Sequence, residues 1–306
     1  MRNKWFVSLA LTCVSFMQFS CGGCNSGGGE AEDDIKFIPG DEGRTSDVTY
    51  NSEAMNEIIA SFSSPVEMAA LLKDSGAPFS TKYLTDPESV KAYTSSFKKA
   101  LALGVLSADL GYLNVYSKTS QILDYLVSIR GLTDELKLGQ FFDFQSLKRL
   151  ATSEDNIDSL LIMCTQSYDN MDAHLRNNQR SNLSALLVTG VWVESLYLIT
   201  QVAKERPSDS FSETIGEQKK ILNNLLPILK LFKDSDKNFA DLVQNLEELK
   251  DVFDVVKITE HVEENPESSS NGLIVQNEYS VVEVSKEELQ EITTTTEKIR
   301  NKIIAL

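Results

Sequence analysis

The sequence predicts an all-α protein: a mostly antiparallel helical bundle with a small β-hairpin-like excursion near residues 255–284. Three observations carry that expectation. Breakers are scarce, with seven prolines and fifteen glycines in 306 residues and the glycines crowded toward the N-terminus. Such scarcity favours long helices over a sandwich of short strands and turns. Recognisable caps open successive apolar-periodic segments. Past Pro207, three stretches place apolar residues at alternating steps of three and four, the spacing of one helix face.

The first fifty residues read as an address. Met1-Arg2-Asn3-Lys4 is basic, and Trp5–Phe19 is apolar but short for a bilayer span. Residues 1–20 are therefore expected to be a secretory leader. Ser20 directly precedes Cys21 at the end of the apolar stretch, which resembles a bacterial lipobox, although Gln18 stands where leucine is usual. Looser versions of this kind occur in envelope lipoproteins of the Bacteroidota type. The resemblance implies that the Cys21 thiol takes a diacylglycerol and its amine a further acyl chain. Each buried methylene adds ~0.8 kcal/mol, so more than one chain makes a stable anchor. Cys24 lies beyond the apolar run and is the second choice. Residues 21–50 are Gly- and Ser-rich and contain the acidic run Glu30-Ala31-Glu32-Asp33-Asp34, a composition that makes a flexible, charge-extended tether.

Residues 51–207 are expected to form a buried-helix bundle. Ser64-Pro65-Val66-Glu67 has the form of a capping box, and Gly76 and Pro78 stop that helix. Asp86-Pro87-Glu88 opens a helix expected to reach about Tyr116, apolar nearly all round from Ala100 to Leu110, as befits a helix buried on every side. Gly104, Ala108 and Gly111 share one face, where another backbone can come close. Thr119–Arg130 follows, with Gly131 as its stop signal. Shorter pieces are expected around Thr133–Leu138 and Asp143–Ala151. Ser153 opens a helix to about Arg176, with Ile157, Leu160, Cys164, Tyr168, Met171 and Leu175 on its apolar side. Asn182–Lys204 is the most apolar helix after the leader, but Thr189, Glu194, Ser195, Thr200 and Gln201 suit a protein interior better than lipid.

Residues 208–306 carry the three stripes: Ile215 to Phe232, Phe239 to Val256, and Leu289 to Leu306. Narrow stripes of this kind suit coiled-coil-like helices packed on the bundle. Between the last two, Val255–Val262 and Tyr279–Val284 flank a polar stretch and are expected to pair. Ser285 with Glu288 caps the final helix.

The run Leu103-Gly104-Val105-Leu106-Ser107-Ala108-Asp109-Leu110-Gly111-Tyr112, the spaced tyrosines up to Tyr125, and Ser184–Tyr197 are similar to a family of uncharacterised all-helical envelope lipoproteins of Bacteroidota-type bacteria. The resemblance spans residues 51–204 and implies no activity.

A net charge of −16 disfavours nucleic acid and anionic membrane surfaces as partners, so membrane attachment must be covalent. Cys164 reads as a small buried hydrophobe within its helix. His174 lies near Asp169 and Asp172, but those spacings do not put three ligands on one helix face, and His261 falls in the hairpin. Neither makes a metal motif, and no cofactor is expected. No nucleophile elbow, phosphate loop or dinucleotide fingerprint is present.

Two carboxylates stand out instead. Asp109 interrupts one apolar helix, with Tyr112 and Tyr116 on much the same face, and Glu194 interrupts another beside Trp192 and near Tyr197. An isolated buried charge is very costly, so each must be paired, hydrogen-bonded or wet. If the helices are neighbours, these six residues line a pocket for a small molecule or glycan, with paired carboxylates as in a glycosidase. Otherwise they form a network tied by tyrosine hydroxyls or a buried Lys or Arg. The leading expectation is a non-enzymatic scaffold or binding module. It is exported and lipid-anchored in the cell envelope, at the outer membrane and facing the periplasm or the surface, with an envelope protein as partner. Glycan or small-molecule binding or hydrolysis in the Asp109–Glu194 pocket is the alternative.

Overall fold

Ser95 fixes where the first long helix begins. In the computed structural model its backbone is extended and its Oγ accepts the Lys98 N–H at 3.2 Å, satisfying one of the donors that every helix start leaves open. The structure describes residues 72, 76–152, 157–262, 267–268, 274–275 and 278–305. The leader, Cys21, the tether, the capped segment at Ser64-Pro65 and the Ser153 helix start lie outside the described residues.

Eight α-helices are found among the described residues: α1 Ser96–Val115, α2 Thr119–Glu135, α3 Phe144–Ala151, α4 Ile157–Asn177, α5 Ser181–Glu205, α6 Asp209–Lys230, α7 Lys237–Phe253 and α8 Lys286–Ile304. Strands β1 (Lys257–Val262) and β4 (Glu278–Glu283) pair antiparallel from Lys257↔Glu283 to Val262↔Glu278, and β2 (Glu267–Ser268) pairs with β3 (Ile274–Val275). The fold is all-α apart from this excursion. Asp143, Ser208 and Asp236 cap α3, α6 and α7, and the capping box of Ser285 and Glu288 opens α8.

Two helix ends differ from expectation, for related reasons. The segment 86–116 is not one helix, because Tyr93 is extended (ψ 127°) and separates the 3₁₀ turn Ser89–Ala92 from α1. Ser95 is the cap that is used. Helix α2 does not stop at Gly131 but runs on to Glu135, absorbing the piece expected at 133–138. A Cβ at Gly131 would meet nothing within 4 Å, so that glycine sits on open surface and marks no close approach. The real stop is Lys137, at φ 58°. There the Leu138 N–H reaches the Thr133 carbonyl at 2.7 Å and the Lys137 N–H reaches Asp134 at 3.1 Å, the Schellman pattern. Ser117 ends α1 in the same way at φ 54°, with Lys118 N–H bonded to the Leu113 carbonyl at 3.0 Å. The left-handed positions are thus filled by Ser and Lys, against the usual glycine preference.

Helices α1 and α5 form the centre and share the most extensive contact in the molecule. Both are buried on every side along most of their length, and the most apolar stretch of α5 is wholly inside the fold. Helices α2 and α4 flank α1, while α4, α6 and α8 flank α5, and α7 bridges α6 and α8. The 3-4 stripes are the inward faces: Ile215, Leu222, Leu225 and Leu229 of α6, Phe239 to Val256 along and just after α7, and Ile292, Thr296, Ile299 and Ile303 of α8 are buried. The sheet is held through β4, where Val282 packs on α6 at Gly216.

The central crossing depends on two glycines. A Cβ on Gly104 would collide with the Leu187 carbonyl and the Val191 nitrogen, and one on Gly190 with the Leu101 carbonyl. The obstacles are backbone, so no side chain can swing aside. Gly104→Ala is expected to cost ~1–3 kcal/mol by forcing the helices apart. Gly131→Ala, at an open helix position, is expected to gain ~1 kcal/mol. Denaturant unfolding of the two variants checks the contrast. Equal effects would show that the crossing is not tight.

Candidate functional site

Asp109 and Glu194 are carried into the centre because α1 and α5 offer them no solvent face. Both are 0% exposed. What they meet is a cation from the last helix. Arg300 of α8 binds Glu194 with two parallel bonds, Nε to Oε2 at 2.9 Å and Nη2 to Oε1 at 2.8 Å. Its guanidinium also lies over the Tyr197 ring, 4.5 Å from the centroid. The fork geometry and always-charged state of arginine suit a buried, bidentate pair of this kind.

The same Nη2 donates to the Thr85 Oγ1 at 2.7 Å and to the Tyr83 carbonyl at 3.1 Å. Thr85 in turn donates its N–H to Asp109 Oδ2 at 3.0 Å, and its carbonyl accepts the Tyr125 hydroxyl of α2. Segment 77–85 has few backbone partners of its own, so side chains from three helices take up its polar groups.

Tyr112 and Tyr116 serve the earlier part of that segment. The Tyr112 hydroxyl accepts the Ser80 N–H at 3.1 Å, and the Tyr116 hydroxyl donates to the Ala77 carbonyl at 2.9 Å. Phe79 stacks on Tyr112 with centroids 5.5 Å apart, and Lys118 lies over the Phe79 ring. Trp192 faces another way, donating its indole N–H to Gln218 of α6 at 3.0 Å. Of the six residues singled out in the sequence, Asp109, Glu194 and Tyr197 come together around Arg300. Tyr112 and Tyr116 hold the segment beside them, and Trp192 joins α5 to α6.

The electrostatics follow from burial. Desolvation pushes the Asp109 carboxyl well above its ordinary range, and the neighbouring Glu194 charge pushes it further. Burial raises Glu194 as well, but the Arg300 hydrogen bonds and charge oppose that rise. For Arg300 burial works against the charge, yet Glu194 outweighs it and the pKa is raised. Burial lifts Tyr112 to about 12.

Sequence reasoning did not place Arg300, Thr85, Tyr83 or Tyr125 in the site. Two carboxylates inside apolar helices do call for a cation, but nothing local to Arg300 separates it from the other basic residues of the C-terminal helices. A further buried carboxylate is met within reach of its own helix. Asp172 of α4 pairs with Arg176 one turn on, Nε to Oδ2 at 2.8 Å, and accepts the Ser184 hydroxyl of α5. His174 instead packs against Phe141, its ring tilted 49° to the phenyl ring. The Cys164 thiol is pushed up to about 12 by burial and has little nucleophilic character.

Comparison with known protein families, with characterised proteins and with solved structures finds no match for this chain.

Proposed function

We propose that this chain is an envelope lipoprotein whose helical part works as a non-enzymatic scaffold or binding module, held to the membrane by acyl chains on Cys21. The observation that carries the reading is the state of its most chemically suggestive residues. Glu194 has both oxygens engaged by Arg300, and Asp109 is enclosed with it at 0% exposure. A glycosidase pair must stand on either side of a substrate with room for a sugar between. Here a guanidinium occupies Glu194, and segment 77–85 closes over Asp109. The anchor rests on Trp5–Phe19 followed by Ser20-Cys21, and the resemblance to Bacteroidota-type lipoproteins points the same way. An acidic chain of net charge −16 keeps the module soluble beside an anionic bilayer while the lipid retains it.

Metabolic acyl labelling tests the anchor. Label is expected to vanish from Cys21→Ala and to persist in Cys24→Ala, and the reverse pattern overturns the assignment. Incubation with a panel of glycans tests the module. Hydrolysis that disappears with Glu194→Gln would replace the scaffold reading with an enzymatic one.

A further inference from the structure

Among the described residues the cluster holds two carboxyl groups and one cation, all cut off from water. Glu194 takes the Arg300 fork face-on, leaving Asp109 without a cation of its own. Only one Asp109 oxygen is satisfied: Oδ2 accepts the Thr85 N–H, while Oδ1 has no hydrogen-bond partner as an acceptor among the described residues. An ionised carboxylate with a bare oxygen in this position would be among the costliest groups a core can hold. A proton on Oδ1 removes the difficulty, because it cancels the charge and turns the bare acceptor into a donor for Glu194, whose side chain is within hydrogen-bonding reach of Asp109. The cluster then sums to zero, one anion against one cation.

We propose that Asp109 is carried as the neutral acid at neutral pH, its proton donated from Oδ1 to Glu194, and that this proton governs how firmly Tyr83–Thr85 is clasped to the core. Removing it would leave two adjacent anions facing one guanidinium, at the point where Arg300 and Asp109 together hold Thr85. The clasp is firm in acid and loosens in alkali.

The surrounding groups do not blur this titration. Tyr83 from the segment, Tyr125 from α2 and Tyr197 from α5 are each raised by burial above the ordinary tyrosine value, so they stay neutral through the same range. From α8, Arg300 stays charged. Asp86, beyond Thr85, raises Tyr125 further.

The sign follows from linkage. An unfolded aspartate releases its proton near pH ~3.9, whereas the folded one keeps it, so stability is fully present below that value and falls as pH rises. One retained proton changes the folding equilibrium about tenfold per pH unit until the folded group ionises. The substitution Asp109→Asn copies the neutral acid, with an amide oxygen for Thr85 and an amide N–H for Glu194. The stability of Asp109→Asn relative to the parent, measured by denaturant unfolding of the full chain from pH 5 to 9, should therefore rise about tenfold per unit in folding constant. Parallel curves would mean that Asp109 is ionised in the fold and would overturn the proposal. The infrared carbonyl stretch of a water-shielded carboxylic acid decides the matter even if that variant folds poorly. The parent should show the band at pH 7, and Glu194→Gln should lose it as Asp109 ionises to become the partner of Arg300. Absence of the band in the parent, or its survival unchanged in Glu194→Gln, overturns the assignment.

Discussion

Arg300→Met is expected to destabilise the protein by ~3–5 kcal/mol, because it leaves Glu194 charged with no other cation beside it among the described residues. Folded domains are held by only ~5–15 kcal/mol, so the loss takes a large share of the total. Arg300 donates to Glu194, Thr85 and Tyr83 together and also covers the Tyr197 ring. Methionine replaces the aliphatic stem and none of those donors. The second half of the test removes the stranded anion. Adding Glu194→Met to Arg300→Met should recover much of the loss, since a buried ion pair exchanged for apolar groups of similar volume is often neutral or better. Urea unfolding of the single and double variants measures both. A double variant less stable than the single by a further several kcal/mol would show that Glu194 has stabilising partners besides Arg300.

Trp192→Ala should also cost ~3–5 kcal/mol, the usual range for deleting a fully enclosed large aromatic. Trp192 is 0% exposed, and its indole N–H is the donor to Gln218, itself 2% exposed. Truncation therefore opens a cavity and strands a buried amide oxygen, the second contributing ~1–3 kcal/mol of the whole. Trp192→Phe keeps most of the volume and removes the donor, and should fall clearly between the two. If Phe matches the parent, the bond to Gln218 contributes nothing. If Phe matches Ala, the cavity is not the main cost.

Much of the architecture was legible because helix periodicity is a local signal. The stripes through Leu222, Leu246 and Ile299 are inward faces, and the all-round apolarity of Ala100–Leu110 and the high apolarity of Asn182–Lys204 do mark the two central helices. The pairing of 257–262 with 278–283 was visible from its flanks. Helix ends were less uniformly legible: the end near Tyr116 fell where expected, but the stop at Lys137 arises from backbone geometry that its side chain does not announce. In the candidate site, Asp109 and Glu194 could be found because a carboxylate inside an apolar helix contradicts its surroundings. Arg300 could not, because an arginine beside an apolar stripe is normally a solvated edge residue with a buried stem. Only the three-dimensional crossing of α5 and α8 turns it inward. Thr85 is hidden for a further reason: its role lies mainly in backbone groups, which leave no trace in residue type.

The position of Arg300 far downstream of its partners also has a consequence for synthesis. The charge that neutralises Glu194 lies 106 residues downstream of it, and the group that holds Thr85 lies 215 residues downstream. At ribosomal rates of ~5–20 residues per second, Glu194 is made on the order of ten seconds before its cation exists. During that interval α1 and α5 can meet only by burying Glu194 without its cation, which disfavours premature closure. The nascent chain is thereby kept open until α8 arrives, and closure of the fold becomes a late event in its synthesis.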